Sequence, residues 1–515
     1  MPRISQFVST VALAVAAVGV GTTATHEPFP GLDQYVQHTM KEWNIPGAAI
    51  AIVRNDSVIY AKGYGVRELG RPELVDAQTI FAIGSNSKAF TAAGLEMLVD
   101  DGKMNLDAPV STYIPDFRLG DPLASQVATV RDLLTHRTGL VSNDLVWYGS
   151  DVDRDELVRR LRFLPSESSF RTKFRYHNIA YMAAGQVLAH ATDGTWDDFM
   201  KARIFSPLGM TSTSTSIREL AGKSNVVTPH LETPQGVQPI HWYNGDNVGP
   251  AGSINSTAVD MAQWLRLQLA GGTHNGRRIV SQRGVDEMRS AQLAIPLNRG
   301  TPALFPTAHF ISIGLGLVSS DYAGKVLVEH TGEIDGMASA VAMVPESRFG
   351  VVVLTNLGSG IHAPTALARQ IVDMQLGRAS IDWSHRLRVA YDSLVARERS
   401  AAAAFAAQRV PNTKPSLPLV AYAGTYADSA FGAMTIREEN GGLSFDFGPM
   451  RRGTLEHWHL DTFRSHPFNP ALEEGTFQFR LDPTGGVAGV QVNFGDAGWA
   501  TLQRVPASSQ ALVGR

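Results

Sequence analysis

The sequence predicts an α+β (α/β) fold: one sheet flanked by helices, with a helical domain inserted into it, followed by a separate all-β domain. Three observations predict it. Strand-like apolar runs stand at both ends of the stretch 28–377, with mostly helical segments between them. A proline-rich linker, Val410 to Pro418, then interrupts the chain. Beyond it come short alternating runs split by turn signals.

The elements follow in order. Leu32 to Trp43 has the apolar spacing of an amphipathic helix. Ala48 to Arg54 and Ser57 to Gly63 read as strands joined at the Asn55-Asp56 turn. Ala89 to Val99 is an apolar helical segment. Helices are expected near Val130 to Thr135, Asp155 to Phe163, Ile179 to Ala191 and Thr257 to Ala270. Three late strands, Val326 to His330, Ala338 to Val344 and Phe349 to Thr355, precede a closing helix from Ala363 to Gln375. Strands at both ends around a helical middle imply one sheet carrying an inserted helical domain.

Residues 378–418 read as a connecting helix, from Ile381 to Gln408, and the linker. In 419–508 the runs Met434 to Arg437, Leu443 to Phe447, Thr476 to Leu481 and Val487 to Phe494 alternate. The turns at Asn440-Gly441-Gly442 and Asp482 to Gly486 are hairpin-like, so this part is a β domain.

Residues 1–24 read as an export signal. Arg3 supplies a positive start, Phe7 to Val20 is an apolar run dominated by Ala and Val, and Thr22-Thr23-Ala24 is a small-residue cleavage site. The run is shorter than the ~20 apolar residues of a membrane span, and an uncleaved anchor is the alternative. The expected location is therefore periplasmic or secreted, with no integral membrane domain once the signal is removed.

The chain has 515 residues, too many for one compact core. Hydrophobic residues make up 44% and charged residues 18%, as in folded proteins. The net charge of -3 offers no basic field, so nucleic acid is not an expected partner. There is no cysteine, hence no disulfide, thiol nucleophile or thiolate metal site.

Ser85-Asn86-Ser87-Lys88 carries the chemistry. On a helix start, positions three apart share a face, which puts the Ser85 hydroxyl beside the Lys88 amine. A serine is a weak nucleophile until a neighbour takes its proton, and a desolvated lysine can do so. Two further signatures follow: Tyr176-His177-Asn178, and His330-Thr331-Gly332 at the end of a strand. Each has a structural alternative. Tyr176 could be a packed aromatic, Asn178 the N-cap of the helix from Ile179, and the third a strand running into a turn. Their order decides the matter.

The ordered triple resembles the serine β-lactamase and penicillin-binding-protein superfamily, whose motifs are S-x-x-K, S/Y-x-N and K/H-T-G. The Y-x-N form is similar to the class C branch, with its D-aminopeptidases, DD-carboxypeptidases and esterases. Phe81 to Thr91, Asp132 to Leu140, Pro207 to Met210 and Ala251 to Ser253 with Asp260 agree with it. The second domain resembles a lipocalin-like β-barrel at Ala423 to Tyr426 and His457 to His459.

The resemblance implies that Ser85 attacks a carbonyl and forms an acyl-enzyme. Lys88 or Tyr176 is the base, and Tyr176 also passes the proton to the leaving group. Asn178 orients Lys88 and the substrate, with His330, Thr331 and Gly332 alongside. The backbone N–H groups of Ser85 and Glu333 hold the oxyanion. Moving a lysine pKa from about 10.4 towards 7 takes roughly 4 to 5 kcal/mol of destabilised charge. No cofactor or metal is implied, and a homo-oligomer stays open.

Two departures narrow the substrate. His330 stands where many β-lactamases have Lys, and histidine is often neutral near pH 7. Glu333 replaces a small residue, and its side chain favours an amine-bearing substrate. Both shift the expectation towards a small-molecule substrate that is a peptide or an ester, the resemblance implying peptides that contain D-amino acids, with a β-lactamase or general esterase as the alternative. A protein that binds peptidoglycan or peptide without turnover is the alternative of another class. No G-x-S-x-G or H-E-x-x-H occurs. His457 and His459 read as part of an aromatic strand, and Ser253-Ile254-Asn255 as a turn that competes with Tyr176 for the second motif.

Overall fold

A computed structural model describes residues 27–297, 301–358, 360–378 and 381–506. The expected export signal, 1–24, lies outside the described residues.

The first unit is built on one eight-stranded sheet. In spatial order it runs Ser57–Gly65, Gly47–Arg54, Phe349–Thr355, Met337–Val344, Lys325–Ile334, Val318–Tyr322, Ile311–Ile313 and Leu293–Ala294. Every neighbouring pair is antiparallel. Strand Gly47–Arg54, second in that order, explains its own sequence. Ala49, Ala51 and Val53 face one hydrophobic core, and Ala48, Ile50 and Ile52 face another. A strand buried on both faces has no polar side to show, hence its continuous apolar run.

Helices Leu32–Glu42 and His362–Gln375 cover one face, with Trp43, Leu367 and Trp383 in the core beneath them. The other face carries the inserted helical part, including Ser87–Asp100, Asn178–Ala191 and Ala258–Leu269. Helix Ser87–Asp100 is buried almost throughout, which accounts for an apolar pattern with no polar stripe. Two sequence expectations differ from the structure. The strand expected to stop at His330 runs on to Ile334, so His330-Thr331-Gly332 lies within it. Ile311–Ile313 and Val318–Tyr322 were not expected, because a serine or aspartate interrupts each short apolar run.

The second unit is a closed, eight-stranded antiparallel barrel from Gly424 to Arg504. Its interior is filled by Tyr422, Tyr426, Phe445, Phe463, Phe477 and Phe479, so it is a packed core. Helix Trp383–Ala407 and the linker lead into it. The barrel is fastened to the first unit at named points. Leu145 inserts into the barrel's core cluster. Arg451 Nη1 donates to the Leu145 carbonyl at 2.6 Å, and Asn143 Nδ2 to the Trp499 carbonyl at 2.5 Å. Among the described residues, no helix is long and apolar enough to cross a membrane.

Candidate active site

Ser85 lies in a 3-10 turn, Gly84–Asn86, that leads straight into helix Ser87–Asp100. Ser87 Oγ ties the turn by donating to the Gly84 carbonyl at 2.7 Å. Gly84 has φ +52°, and a Cβ there would stand 2.6 Å from the Glu333 nitrogen. A Cβ on Gly332 would stand 1.9 Å from the Ile83 carbonyl oxygen. Both glycines are required so that the nucleophile turn can press against strand Lys325–Ile334. Asn86 Nδ2 donates to Ser339 Oγ at 2.8 Å, and Ser339 donates to the Ile83 carbonyl at 2.8 Å, locking the contact from behind.

Lys88 sits one helical turn on. Its Nζ donates to Ser85 Oγ at 2.9 Å, Asn178 Oδ1 at 2.9 Å and the Ala251 carbonyl at 2.8 Å. It also lies 4.7 Å from the centre of the Tyr176 ring and 5.6 Å from that of Tyr181. Burial lowers its pKa to about 7 against the opposing pull of Asp144. That shift represents about 5 kcal/mol of destabilised charge, so near neutral pH much of Lys88 is a free amine.

Tyr176 is half-buried, and its phenol hydrogen-bonds to Ser85. Burial raises its pKa above the ordinary tyrosine value; the bond to Ser85 offsets part of this. It therefore stays protonated near neutral pH unless a positive charge develops beside it. Beneath it lies His136, ring centres 4.4 Å apart and planes 27° apart. His136 Nδ1 accepts from the His177 backbone N–H at 3.1 Å. Burial and Lys88 hold His136 well below the usual histidine range, so the stacked ring is neutral.

Asn178 opens helix Asn178–Ala191 but does not cap it. His177 is the N-cap: its Nδ1 accepts from the Ala180 N–H at 3.2 Å, and its Nε2 meets the Val141 carbonyl at 3.1 Å. With the cap supplied by His177, Asn178 is left to face Lys88. Its Nδ2 lies 3.4 and 3.3 Å from the two carboxylate oxygens of Asp144. Asp144 is itself anchored by Trp147 Nε1 at 2.6 Å.

His330 and Thr331 line the same cavity as Ser85 and Tyr176, of about 310 Å³, with walls that include Phe174, Phe305 and Ile313. Burial, then the nearby Lys88, lower the His330 pKa to about 4, so it is neutral near pH 7. Glu333 lies at the cavity's exposed mouth, and its Oε1 accepts from the Gly360 N–H at 3.1 Å. A second cleft of about 480 Å³ includes Tyr176, Asn178 and Asp144 together with Leu472, Phe494 and Ala497 of the barrel.

The structure thus brings Ser85, Lys88, Tyr176, Asn178, His330, Thr331, Gly332 and Glu333 to one place. Sequence reasoning missed Asp144 and His136. Asp144 opens a short 3-10 turn, Asp144–Val146, with no motif around it, and its contact with Asn178 marks it. His136 was part of the stretch Asp132 to Leu140, without a role of its own. The competing Ser253-Ile254-Asn255 lies in a buried turn, where Ser253 Oγ donates to the Thr215 carbonyl at 2.5 Å. His457 Nε2 meets the Leu460 carbonyl at 2.9 Å and His459 Nδ1 accepts from the Val410 N–H at 3.0 Å, so both imidazoles hold loop backbone.

Comparison with known proteins agrees with the fold. The family described as Beta-lactamase matches residues 32–375, and a Domain of unknown function (DUF3471) matches 408–503. The chain is 29% identical over 434 residues to the Unguisins hydrolase ungD of Aspergillus violaceofuscus, covering 78% of this chain and 76% of that protein. It is 26% identical to Protein flp of Staphylococcus aureus, covering 66% of this chain and 65% of that one. The octameric penicillin-binding protein homologue from Pyrococcus abyssi superposes with a TM-score of 0.61 at 21% identity, over 92% of this chain and 99% of that one. The chain belongs to the beta-lactamase family.

Proposed function

We propose that the protein is an exported serine hydrolase that transfers the acyl group of a peptide or ester, through an acyl-enzyme on Ser85, to water. The observation that carries this reading is the set of contacts around Lys88: 2.9 Å to Ser85 Oγ in a site that holds its pKa near 7. A partly neutral amine within hydrogen-bond reach of a hydroxyl is what general-base activation requires. Ser85 Oγ attacks the carbonyl carbon as its proton passes to Lys88, directly or through the Tyr176 phenol. The oxyanion forms against the backbone N–H groups of Ser85 and Glu333. The proton then goes to the leaving nitrogen or oxygen, the acyl-enzyme forms, and water attacks it by the reverse route. Asn178 holds Lys88 in line while Asp144 holds Asn178.

A neutral His330 supplies no fixed cation for a substrate carboxylate, which favours peptides and esters over the lactam antibiotics. The similarity to a hydrolase named for unguisins supports a hydrolytic role. The test is labelling with a fluorophosphonate and, separately, with a fluorescent penicillin, in the wild type and in Ser85→Ala. Labelling of wild type by the fluorophosphonate alone, lost in Ser85→Ala, is the expected result. No labelling at Ser85 by either reagent would sink the hydrolase reading. Export is read from residues 1–24 and is checked by the N-terminal sequence of secreted protein.

A further inference from the structure

We infer that the cavity holding Ser85 is a subsite for an uncharged, bulky apolar group that flanks the scissile bond. The inference rests on the acyl-transfer reading and deepens it by naming the substrate class: a peptide with a large aliphatic or aromatic side chain at that position, or the corresponding ester. Ser85 and Tyr176 share the cavity with the apolar side chains of Phe174, Leu304, Phe305, Ile313, Val318 and Ile361. Ile313 is buried, but the other five are only half-buried. Apolar surface is thus left facing water in a hollow beside the nucleophile, and covering it with an apolar group is favourable.

The polar side chains of the lining are engaged with the protein. Glu329 Oε1 accepts from Arg369 Nη2 at 2.6 Å, and Arg369 Nε and Nη1 are buried out of a ligand's reach. Thr365 Oγ1 donates to the Ile361 carbonyl at 2.6 Å, and His330 Nδ1 meets the Thr331 carbonyl at 2.5 Å. Glu333 is exposed to solvent, and its Oε1 accepts from the Gly360 N–H at 3.1 Å. Thr331 adds a neutral hydroxyl.

Charge and size then select the occupant. The ion pair of Arg369 and Glu329 cancels, and His330 is neutral near pH 7. A carboxylate or an ammonium placed between the apolar walls would lose its water and gain no unspent partner, which is expensive. An apolar group loses nothing. The cavity measures about 310 Å³. An apolar cavity of ~150 Å³ takes up benzene, so this one has room for a group of roughly eight to ten carbons.

The test uses the full chain and two series of esters followed by pH-stat. In methyl alkanoates the acyl chain lengthens, and in alkyl acetates the alcohol lengthens. Along at least one series kcat/KM is expected to rise by roughly 3-fold per methylene, then level off near about eight to ten carbons. A terminal carboxylate or ammonium on a chain of the same length is expected to lower kcat/KM by at least about 100-fold. Flat rates along both series, or charged ends accepted as well as a methyl end, would overturn the assignment. Val318→Phe fills the cavity and Ile361→Ala enlarges it, so the length at which rates level off should become shorter in the first and longer in the second. A length that moves in neither variant also counts against the subsite. Calorimetric binding of indane, indane-2-carboxylate and 2-aminoindane to wild type and to Ser85→Ala needs no turnover. Tighter binding of indane than of either charged analogue supports the subsite, and equal or tighter binding of a charged analogue overturns it. Fluorophosphonate labelling reports on Ser85 alone, so failure of the hydrolase reading and failure of the subsite are told apart.

Discussion

Asn178 Nδ2 lies 3.3 Å from the half-buried carboxylate of Asp144, while its own Oδ1 accepts from Lys88. The amide is thus clamped between an anion and the amine, and its orientation is fixed by both. This clamp couples the protonation of Lys88 to a residue that does not touch Ser85. It also gives Asp144→Asn a definite expectation. Asp144 pulls the Lys88 pKa up against burial, so removing its charge lets that pKa fall. The acid limb of kcat/KM should move to lower pH, and kcat should fall by ~10-fold as Asn178 exchanges a charged acceptor for a neutral amide. An unchanged pH profile would show that Asp144 is not coupled to the base.

Lys88→Arg keeps a cation but cannot readily give up its proton. The expected loss in kcat is at least about 10²-fold, the low end of general-base effects. Steady-state kinetics on an activated ester measures it. Near-normal turnover would mean that Lys88 is not the base.

The pH dependence has a fixed sign. Lys88 acts as a base only when neutral, and burial holds its pKa at about 7, so activity should fall as pH drops through 7. His330, with a pKa of about 4, stays neutral across that range and adds no inflection near 6.5. His330→Lys places a second cation beside Lys88, which disfavours charging of Lys88 and moves the acid limb down. The same change should improve capture of carboxylate-bearing substrates, read as a lower KM for them.

The barrel bears on the site through Arg451. Its guanidinium is buried, 4.2 Å from the centre of the Phe447 ring, and donates to the carbonyl of Leu145, the neighbour of Asp144. Arg451→Ala removes a charged hydrogen bond and its packing, at an expected loss of about 2 to 3 kcal/mol. Thermal unfolding should shift down by several degrees, and kcat should fall because the Asp144 segment loosens. Unchanged activity with a lowered midpoint would make this contact structural only.

Much of the fold was legible because period and burial agree. Gly47–Arg54 is apolar throughout because both its faces are covered, and the paired late strands carry the same signal. The barrel was visible in its alternation and turns. Short strands such as Ile311–Ile313 were not, since three residues interrupted by Ser312 carry too little apolar pattern, although the strand pairs with the nearby Val318–Tyr322. In the site, Ser85 and Lys88 were legible because they are local, one turn apart. Asp144 and His136 were not, because their meaning lies in contacts made by separate elements. His177 shows the same limit: no role was read for it, yet it caps the helix for which Asn178 was the alternative cap.

The central claim is an acyl-enzyme on Ser85. Rapid-quench mass spectrometry of wild-type protein mixed with an activated ester tests it most directly. The account predicts a burst of product and an acyl mass increment confined to the peptide that contains Ser85, absent in Ser85→Ala. Turnover of that ester with no covalent increment, or an increment on any other residue, would contradict it.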